Sequence, residues 1–188
     1  FQAKPCRLSG DAVTGSSFDD RAGVACLLKI AEELSGAELP VNVAFLLSDG
    51  EELGMRGAAA ASFGIRPDEV IAVDVTFGDG IGISAGECGK LGGGPMIGFS
   101  PVLDGGVSKK LCKVAAENGI AYAPEVMGGR TGTNADVLST AESGAKTCTV
   151  SIPLRNMHTE VETVSLADIE SSAELLAKYI LSGGLLNA

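Results

Sequence analysis

The residues of this 188-residue chain that could take part in catalysis are five carboxylates and its single histidine, His158. The carboxylates form two adjacent pairs and one isolated position: Asp19 with Asp20, Glu51 with Glu52, and Asp74. Carboxylates that converge repel one another and are costly to bury unless protons or cations compensate. A divalent metal ion is therefore the partner that these residue types indicate, provided that the fold brings them together.

Each of these residues also has an ordinary structural explanation. An aspartate before a helix is most often an N-cap, and a glutamate pair at the start of a helix is favoured by the helix dipole. A lone histidine is most often an ordinary surface side chain. Asp74 is harder to explain in this way, because it interrupts the apolar run Val-Ile-Ala-Val-Asp-Val and cannot be buried there without a partner.

The segments that must position these residues alternate between helical and extended patterns. This alternation predicts an α/β fold with a three-layer arrangement, in which a mostly parallel sheet carries helices on both faces. Helices are predicted over 21–34, 55–63, 107–119, 134–142 and 165–182, and strands over 41–47, 70–75, 122–127 and 147–152. The apolar strands 41–47 and 70–75 are predicted to be central. Pro124 indicates an edge position for 122–127, and polar alternation predicts that 147–152 is half exposed.

The predicted strands also suggest where the candidate residues meet. Glu51 and Glu52 follow the strand over 41–47, Asp74 lies at the end of the next strand, and His158 follows the strand over 147–152. Open α/β sheets bind their ligands beyond the carboxyl ends of parallel strands. We therefore expect these four side chains to share one rim of the sheet.

Composition limits the classes of partner. The net charge is −10, so the chain lacks the basic surface that binding to nucleic acid requires. No apolar run approaches the ~18 residues of a membrane span. The five cysteines are odd in number and form no C-x-x-C motif. They predict free thiols and a reducing, cytoplasmic environment.

Four ordered motifs carry a resemblance to a known family. They cover residues 17–23, 51–58, 72–76 and 151–162. Their order and spacing, from about residue 10 to residue 181, resemble the glutamyl aminopeptidase and tetrahedral aminopeptidase family of two-metal metallopeptidases. The resemblance implies an intracellular hydrolase that acts on peptides, binds two divalent ions (zinc, cobalt or manganese) and forms homo-oligomers.

The same resemblance implies roles for individual residues. Asp19 would bridge the two ions, Glu52 and His158 would bind one of them, and Asp74 would bind the other. Glu51 would be the catalytic base that takes a proton from the attacking water. The neighbouring aspartate, at position 20, would orient the ligands, and the peptide bond between the paired aspartates would be cis.

The chain also departs from the family pattern. The family supplies a further histidine to the Asp74 side, from a His-x-Asp stretch upstream of the paired aspartates, and this chain has no second histidine. The small β domain that the family inserts between these regions, and uses for dimer contacts, is absent as well. We therefore expect residues 1–188 to be a partial catalytic domain, incomplete on its amino-terminal side.

Two other functions remain open at this point. A chain that lacks one metal ligand could be a non-catalytic fragment that keeps the fold without the reaction. Alternatively, Gly82-Ile83-Ser84-Ala85-Gly86 fits the G-x-S-x-G string of serine hydrolases, with Asp136 and His158 following in the required order. The serine hydrolase is disfavoured because the segment after Ser84 is rich in glycine, whereas a nucleophile elbow requires a helix there.

Overall fold

The structure is a computed structural model that describes residues 4–84, 86 and 88–187. Its helices are α1 (Phe18–Glu33), α2 (Arg56–Ile65), α3 (Gly105–Glu117), α4 (Ala135–Leu138) and α5 (Leu166–Leu181), followed by a 3-10 helix (Gly184–Asn187). Its strands are β1 (Cys6–Arg7), β2 (Ala12–Gly15), β3 (Glu69–Phe77), β4 (Met96–Phe99), β5 (Ala123–Val126), β6 (Lys146–Arg155) and β7 (Glu162–Ser165). None of the helices in this described part combines the length and apolar character needed to cross a membrane.

The strands form one sheet around β6. Strand order is β1-β2-β7-β6-β4-β5, and β3 pairs with β6 outside this path. β3 is parallel to β6 and β4 is parallel to β5, whereas the other pairs are antiparallel. The predicted α/β class is confirmed, and the sheet is more mixed in direction than predicted. The predicted edge position of the strand near Pro124 is confirmed by β5, which ends the order.

The apolar core lies between one face of the sheet and helices α1, α3 and α5. Cys148, Val150 and Ile152 of β6 are fully buried there, and Leu175 of α5 is buried with them. The helix predicted over 165–182 is confirmed, with Ser165 at its N-cap position. The helix predicted over 134–142 is shorter, because α4 ends at Leu138 and gives way to turns.

Three predictions about strand environment are wrong. β6 is buried on both faces from Thr147 to Leu154 rather than half exposed. Its polar face is covered because Glu125 of β5 reaches across and accepts a hydrogen bond from Ser151. Polar alternation therefore marked a polar cavity wall, not a solvent-facing surface.

The segment 41–47 was predicted to be a buried central strand and is not one. It has no assigned β pairing among the described residues, and Phe45 and Leu47 are 39% and 58% exposed. A strand needs a hydrogen-bonded neighbour as well as an apolar sequence, and no described strand of this chain provides that neighbour. The helix that follows it, α2, and strand β3 agree with the predicted order. The central position predicted for 70–75 is wrong, because β3 pairs only with β6 among the described strands.

Candidate metal centre

Asp19 is positioned by an interruption at the start of α1. Asp19 and Asp20 have non-helical backbone angles, and the peptide bond between them is cis, as the family resemblance implied. The carboxylate of Glu162 on β7 accepts hydrogen bonds from the backbone N–H groups of Phe18 (2.6 Å) and Asp19 (3.1 Å). Its second oxygen accepts from the backbone N–H of His158 at 2.9 Å. One buried carboxylate thus joins the two segments that carry candidate ligands.

Three of the four predicted metal ligands form a compact group. The Nε2 atom of His158 lies 3.0 Å from Oδ2 of Asp19 and 3.5 Å from Oε1 of Glu52. One ligand atom from each of the three residues lies within 4.8 Å of the others. The Asp19 side chain is 13% exposed, whereas those of Glu52 and His158 are more than 60% exposed. An imidazole nitrogen and two carboxylate oxygens are a donor set that zinc and related ions accept.

Asp74 and Glu51 lie beside this group without belonging to it. Asp74 is held on β3, where its Oδ1 accepts a hydrogen bond from the backbone N–H of Val75 at 2.8 Å. One carboxylate oxygen of Glu51, Oε1, is buried and has no hydrogen-bond partner in the described part of the chain. A buried carboxylate oxygen without a partner is unfavourable, so this atom fits a site that is completed by a bound species.

The electrostatics of the site show an excess of negative charge. Burial raises the pKa of Asp74 to about 7, and the charges of nearby carboxylates act in the same direction. The hydrogen bond from the Val75 N–H lowers this pKa and offsets part of the effect. Burial and the charge of Asp74 raise the pKa of Asp20 to about 8. Burial and neighbouring carboxylates also raise the pKa values of Asp19 and Glu51. A cation would relieve this repulsion, so the residues present fit at least one divalent ion.

Asp20 does not belong to the group of three. Its Oδ1 accepts a hydrogen bond from the backbone N–H of Gly23 at 2.9 Å. A Cβ atom at Gly23 would clash with the Asp20 carboxylate, so a glycine is required for this close approach. The contact fixes the backbone that Asp20 shares with Asp19.

One cavity of about 370 Å³ connects the site with the sheet. The structure brings all five predicted site residues to its wall, namely Asp19, Glu51, Glu52, Asp74 and His158. Residues from β3, β4, β5 and β6, and from the loop 131–133, also line the cavity. A cavity of this size admits a small ligand or the end of a peptide.

Sequence reasoning assigned no role to three polar residues near this cavity. Glu162 holds the backbone of both ligand segments, and Thr149 and Asn134 each have a buried oxygen without a hydrogen-bond partner in the described structure. Glu162 could have been found by the signal that identified Asp74, an acid inside an extended segment. Thr149 has no comparable signal, because its importance lies in contacts that the sequence does not contain.

The alternative serine site is not assembled. Ser84 does not line the cavity, and Ala85 and Glu87 beside it lie outside the described residues. Asp136 accepts hydrogen bonds from Thr131 and from the backbone of Gly132, whereas His158 faces Asp19 and Glu52. The three residues of the proposed triad therefore have other partners.

Comparison with known proteins gives a consistent result. A family model described as M42 glutamyl aminopeptidase matches residues 1–175. Lysyl aminopeptidase of Pyrococcus furiosus is 32% identical over 175 residues, which are 93% of this chain and 50% of that protein. The solved structure of an aminopeptidase from Desulfurococcus kamchatkensis superimposes with a TM-score of 0.89 at 32% identity, covering 96% of this chain and 52% of that one.

A third similar protein is the TET1 peptidase of Pyrococcus horikoshii, at 30% identity and a TM-score of 0.82. The match covers 96% of this chain and 53% of that structure. The chain thus spans about half the length of the relatives that it matches.

Proposed function

The chain belongs to the M42 glutamyl aminopeptidase family, and from this membership we propose that it acts as a metal-dependent aminopeptidase on peptides. The observation that carries the proposal is the group formed by Asp19, Glu52 and His158, whose ligand atoms lie within 4.8 Å of one another. Beside it lies the buried, unpartnered oxygen of Glu51. A set of metal donors next to a free carboxylate is what metal-assisted hydrolysis requires.

The donor geometry supports specific ligand roles. Asp19, Glu52 and His158 would hold one divalent ion, and Asp74, with Asp19 between the two positions, would face a second. When bound, such ions lower the pKa of a water molecule and polarise the scissile carbonyl group. Zinc, cobalt and manganese all suit ligands of this type.

Glu51 would move the proton. Glu52 belongs to the donor group, whereas the neighbouring Glu51 does not. The Glu51 carboxylate therefore stays available to accept a proton. Oε1 of Glu51 has no hydrogen-bond donor among the described residues, and it can therefore accept a proton from the attacking water and deliver it to the leaving amine. Asp20 and Glu162 would keep the ligand segments in place through their hydrogen bonds to backbone N–H groups.

Three wider features form part of the proposal. Coverage of about half of each relative supports the interpretation of residues 1–188 as part of a catalytic domain. A homo-oligomer is supported by the TET1 peptidase of Pyrococcus horikoshii, whose structure is described as assembling into a tetrahedron or a large octahedral shell. Five free cysteines support a cytoplasmic location, where thiols stay reduced.

A non-catalytic role is the second candidate, favoured by one observation. The chain has no second histidine that could add a donor on the Asp74 side of the site. A chain with this limited donor set could bind one ion and fail to hydrolyse peptides.

The test combines turnover with metal binding. The full chain, supplied with zinc, cobalt or manganese, is assayed on aminoacyl p-nitroanilides before and after a chelator, and metal binding is measured by calorimetry. We expect turnover that the chelator removes, and ~100-fold weaker metal binding in His158→Ala, with the exposed Glu32→Gln on α1 as the control. Metal binding without turnover on any substrate would support the non-catalytic role, and inhibition by a serine-directed phosphonate would support Ser84.

A further inference from the structure

The cavity has a second polar region beyond the candidate metal centre. Along the sheet, Asp74 of β3 is in register with Ser151 of β6. Ser151 is in register with Met96 of β4, and Thr149 and Glu125 occupy the next row on the same face. Directly paired residues, and those two positions away, point to one side of a sheet. Glu125, Thr149 and Ser151 therefore share a face with Asp74.

Contacts within this region leave hydrogen-bonding capacity unused. The Oγ atom of Ser151 donates to Oε2 of Glu125 at 2.6 Å. Thr149 is fully buried, lines the cavity, and has a hydroxyl without a hydrogen-bond partner in the described structure. A Cβ atom at Gly98 would clash with that hydroxyl, so a glycine in β4 leaves the space that Thr149 occupies. A buried hydroxyl without a partner is unfavourable, so Thr149 retains an unused capacity for a hydrogen bond.

The charge of the region is negative and uncompensated. Among the described residues that line the cavity, none is Lys or Arg. Glu125 forms no ion pair with any residue of the described part. The residues around it include the apolar Met96 and Met127. A carboxylate beside these apolar residues suits a ligand with a flexible apolar stem and a positive end.

We propose that Glu125, together with Ser151 and Thr149, is the subsite for a basic side chain, lysine or arginine, on the N-terminal residue of the substrate. This inference rests on the proposed function, because it assumes that the scissile carbonyl group lies near Glu51. The side chain of that residue must then extend along the same cavity. Ser151 is one strand spacing, about 4.8 Å, from Asp74, and the Glu125 carboxylate lies next to Ser151, within reach of a long side chain.

This subsite discriminates by charge. A lysine ammonium would donate to the Glu125 carboxylate and to the free Thr149 oxygen, while its methylene groups contact the methionine side chains. An uncharged side chain of the same length would bury Glu125 without a countercharge, and an acidic one would be repelled. Arginine would satisfy the same carboxylate through its planar guanidinium group.

The test compares two amides that differ chiefly in charge. Calorimetry on the metal-loaded full chain measures binding of L-lysinamide and of L-norleucinamide, whose side chain has nearly the same length without the charge. We expect lysinamide to bind at least tenfold more tightly, and Glu125→Gln to reduce this ratio to nearly one. The exposed Glu117→Gln on α3 is the matched control and should keep the ratio. Equal binding of the two amides to the unaltered protein would overturn the subsite, whether or not any variant folds.

Turnover separates this inference from the proposed function. The lysine, arginine, leucine and glutamate p-nitroanilides are assayed in parallel, with preference expected for the first two. Hydrolysis of leucine or glutamate substrates in preference to lysine would refute the subsite and retain the aminopeptidase. Failure to hydrolyse any of them would count against the aminopeptidase, and the amide comparison would still decide whether Glu125 selects a basic side chain.

Discussion

The two faces of strand β6 have opposite characters. On one face Cys148, Val150 and Ile152 are fully buried in the apolar core beneath α1, α3 and α5. On the other face Thr149 and Ser151 are just as inaccessible, yet they line the cavity that holds the candidate metal centre. The faces thus differ in chemistry and packing, and not in depth within the molecule.

This difference separates stability from chemistry within a single strand. Each fully buried aliphatic side chain on the core face contributes roughly 1.5–3 kcal/mol through removal from water. The cavity face carries an unpartnered hydroxyl and faces carboxylates whose mutual repulsion and burial raise their pKa values. The core face therefore stabilises a fold in which the cavity face keeps unfavourable groups available for binding.

The strongest test of this separation changes the cavity alone. Glu51→Gln keeps the shape of the side chain and removes its ability to accept a proton, so turnover of the metal-loaded protein should fall by about 10³-fold. Metal affinity and the free energy of unfolding should change little, because Glu51 is outside the donor group. Steady-state kinetics, calorimetry and urea denaturation measure the three quantities. Retention of more than a tenth of the turnover would mean that another group is the base.

The converse substitution changes the core face. Ile152→Ala creates a cavity at a position that is 0% exposed, and it should lower the free energy of unfolding by about 3 kcal/mol. Metal affinity of the folded protein should stay within twofold, because the side chain points away from the cavity. Urea denaturation and calorimetry are the measurements. The exposed Leu28→Ala on α1 is the control, and its free energy of unfolding should change by no more than about 0.5 kcal/mol. An equal loss of unfolding free energy in both variants would contradict the assignment of the core.

Glu162 should contribute both to the stability of the fold and to metal binding. Its carboxylate accepts hydrogen bonds from the backbone N–H groups of Phe18, Asp19 and His158. Glu162→Gln would replace one carboxylate oxygen by an NH₂ group, which would face backbone N–H donors. We expect a loss of about 2 kcal/mol in the free energy of unfolding and about tenfold weaker metal binding. Denaturation and calorimetry check both effects, with the exposed Glu160→Gln as control. If stability fell while metal affinity stayed the same, Glu162 would not position the ligands.

The sequence was informative where a local pattern determines the outcome. Helical spacing located α1, α3 and α5, and a charge inside an apolar run singled out Asp74. It was misleading over 41–47, because an apolar run indicates a suitable environment but cannot supply the neighbouring strand. It also misjudged β6, because alternation separates the two faces of a strand without telling a cavity wall from a solvent-exposed surface.

The candidate site was predictable to a similar degree. The ordered motifs led to the five residues that the structure brings to one cavity, and the missing second histidine was visible by counting. The roles of Glu162 and Thr149 could not be predicted, because they depend on contacts between segments far apart in sequence. The Glu162 carboxylate, for example, contacts the backbone at Phe18, 144 positions away.

The smallest expected effect compares two threonines on the cavity face of β6. Thr147 donates a hydrogen bond to the carbonyl oxygen of Val102, whereas the Thr149 hydroxyl has no partner in the described structure. Thr147→Val should therefore lower the free energy of unfolding by about 1 kcal/mol, since it leaves a carbonyl group unsatisfied, while Thr149→Val should leave it unchanged or raise it by up to about 1 kcal/mol. Urea denaturation of both variants without added ligand measures the difference in the free energy of unfolding. Equal destabilisation would mean that the Thr149 hydroxyl already has a partner in the folded protein. The proposal that this hydroxyl contributes to the substrate subsite would then have to be abandoned.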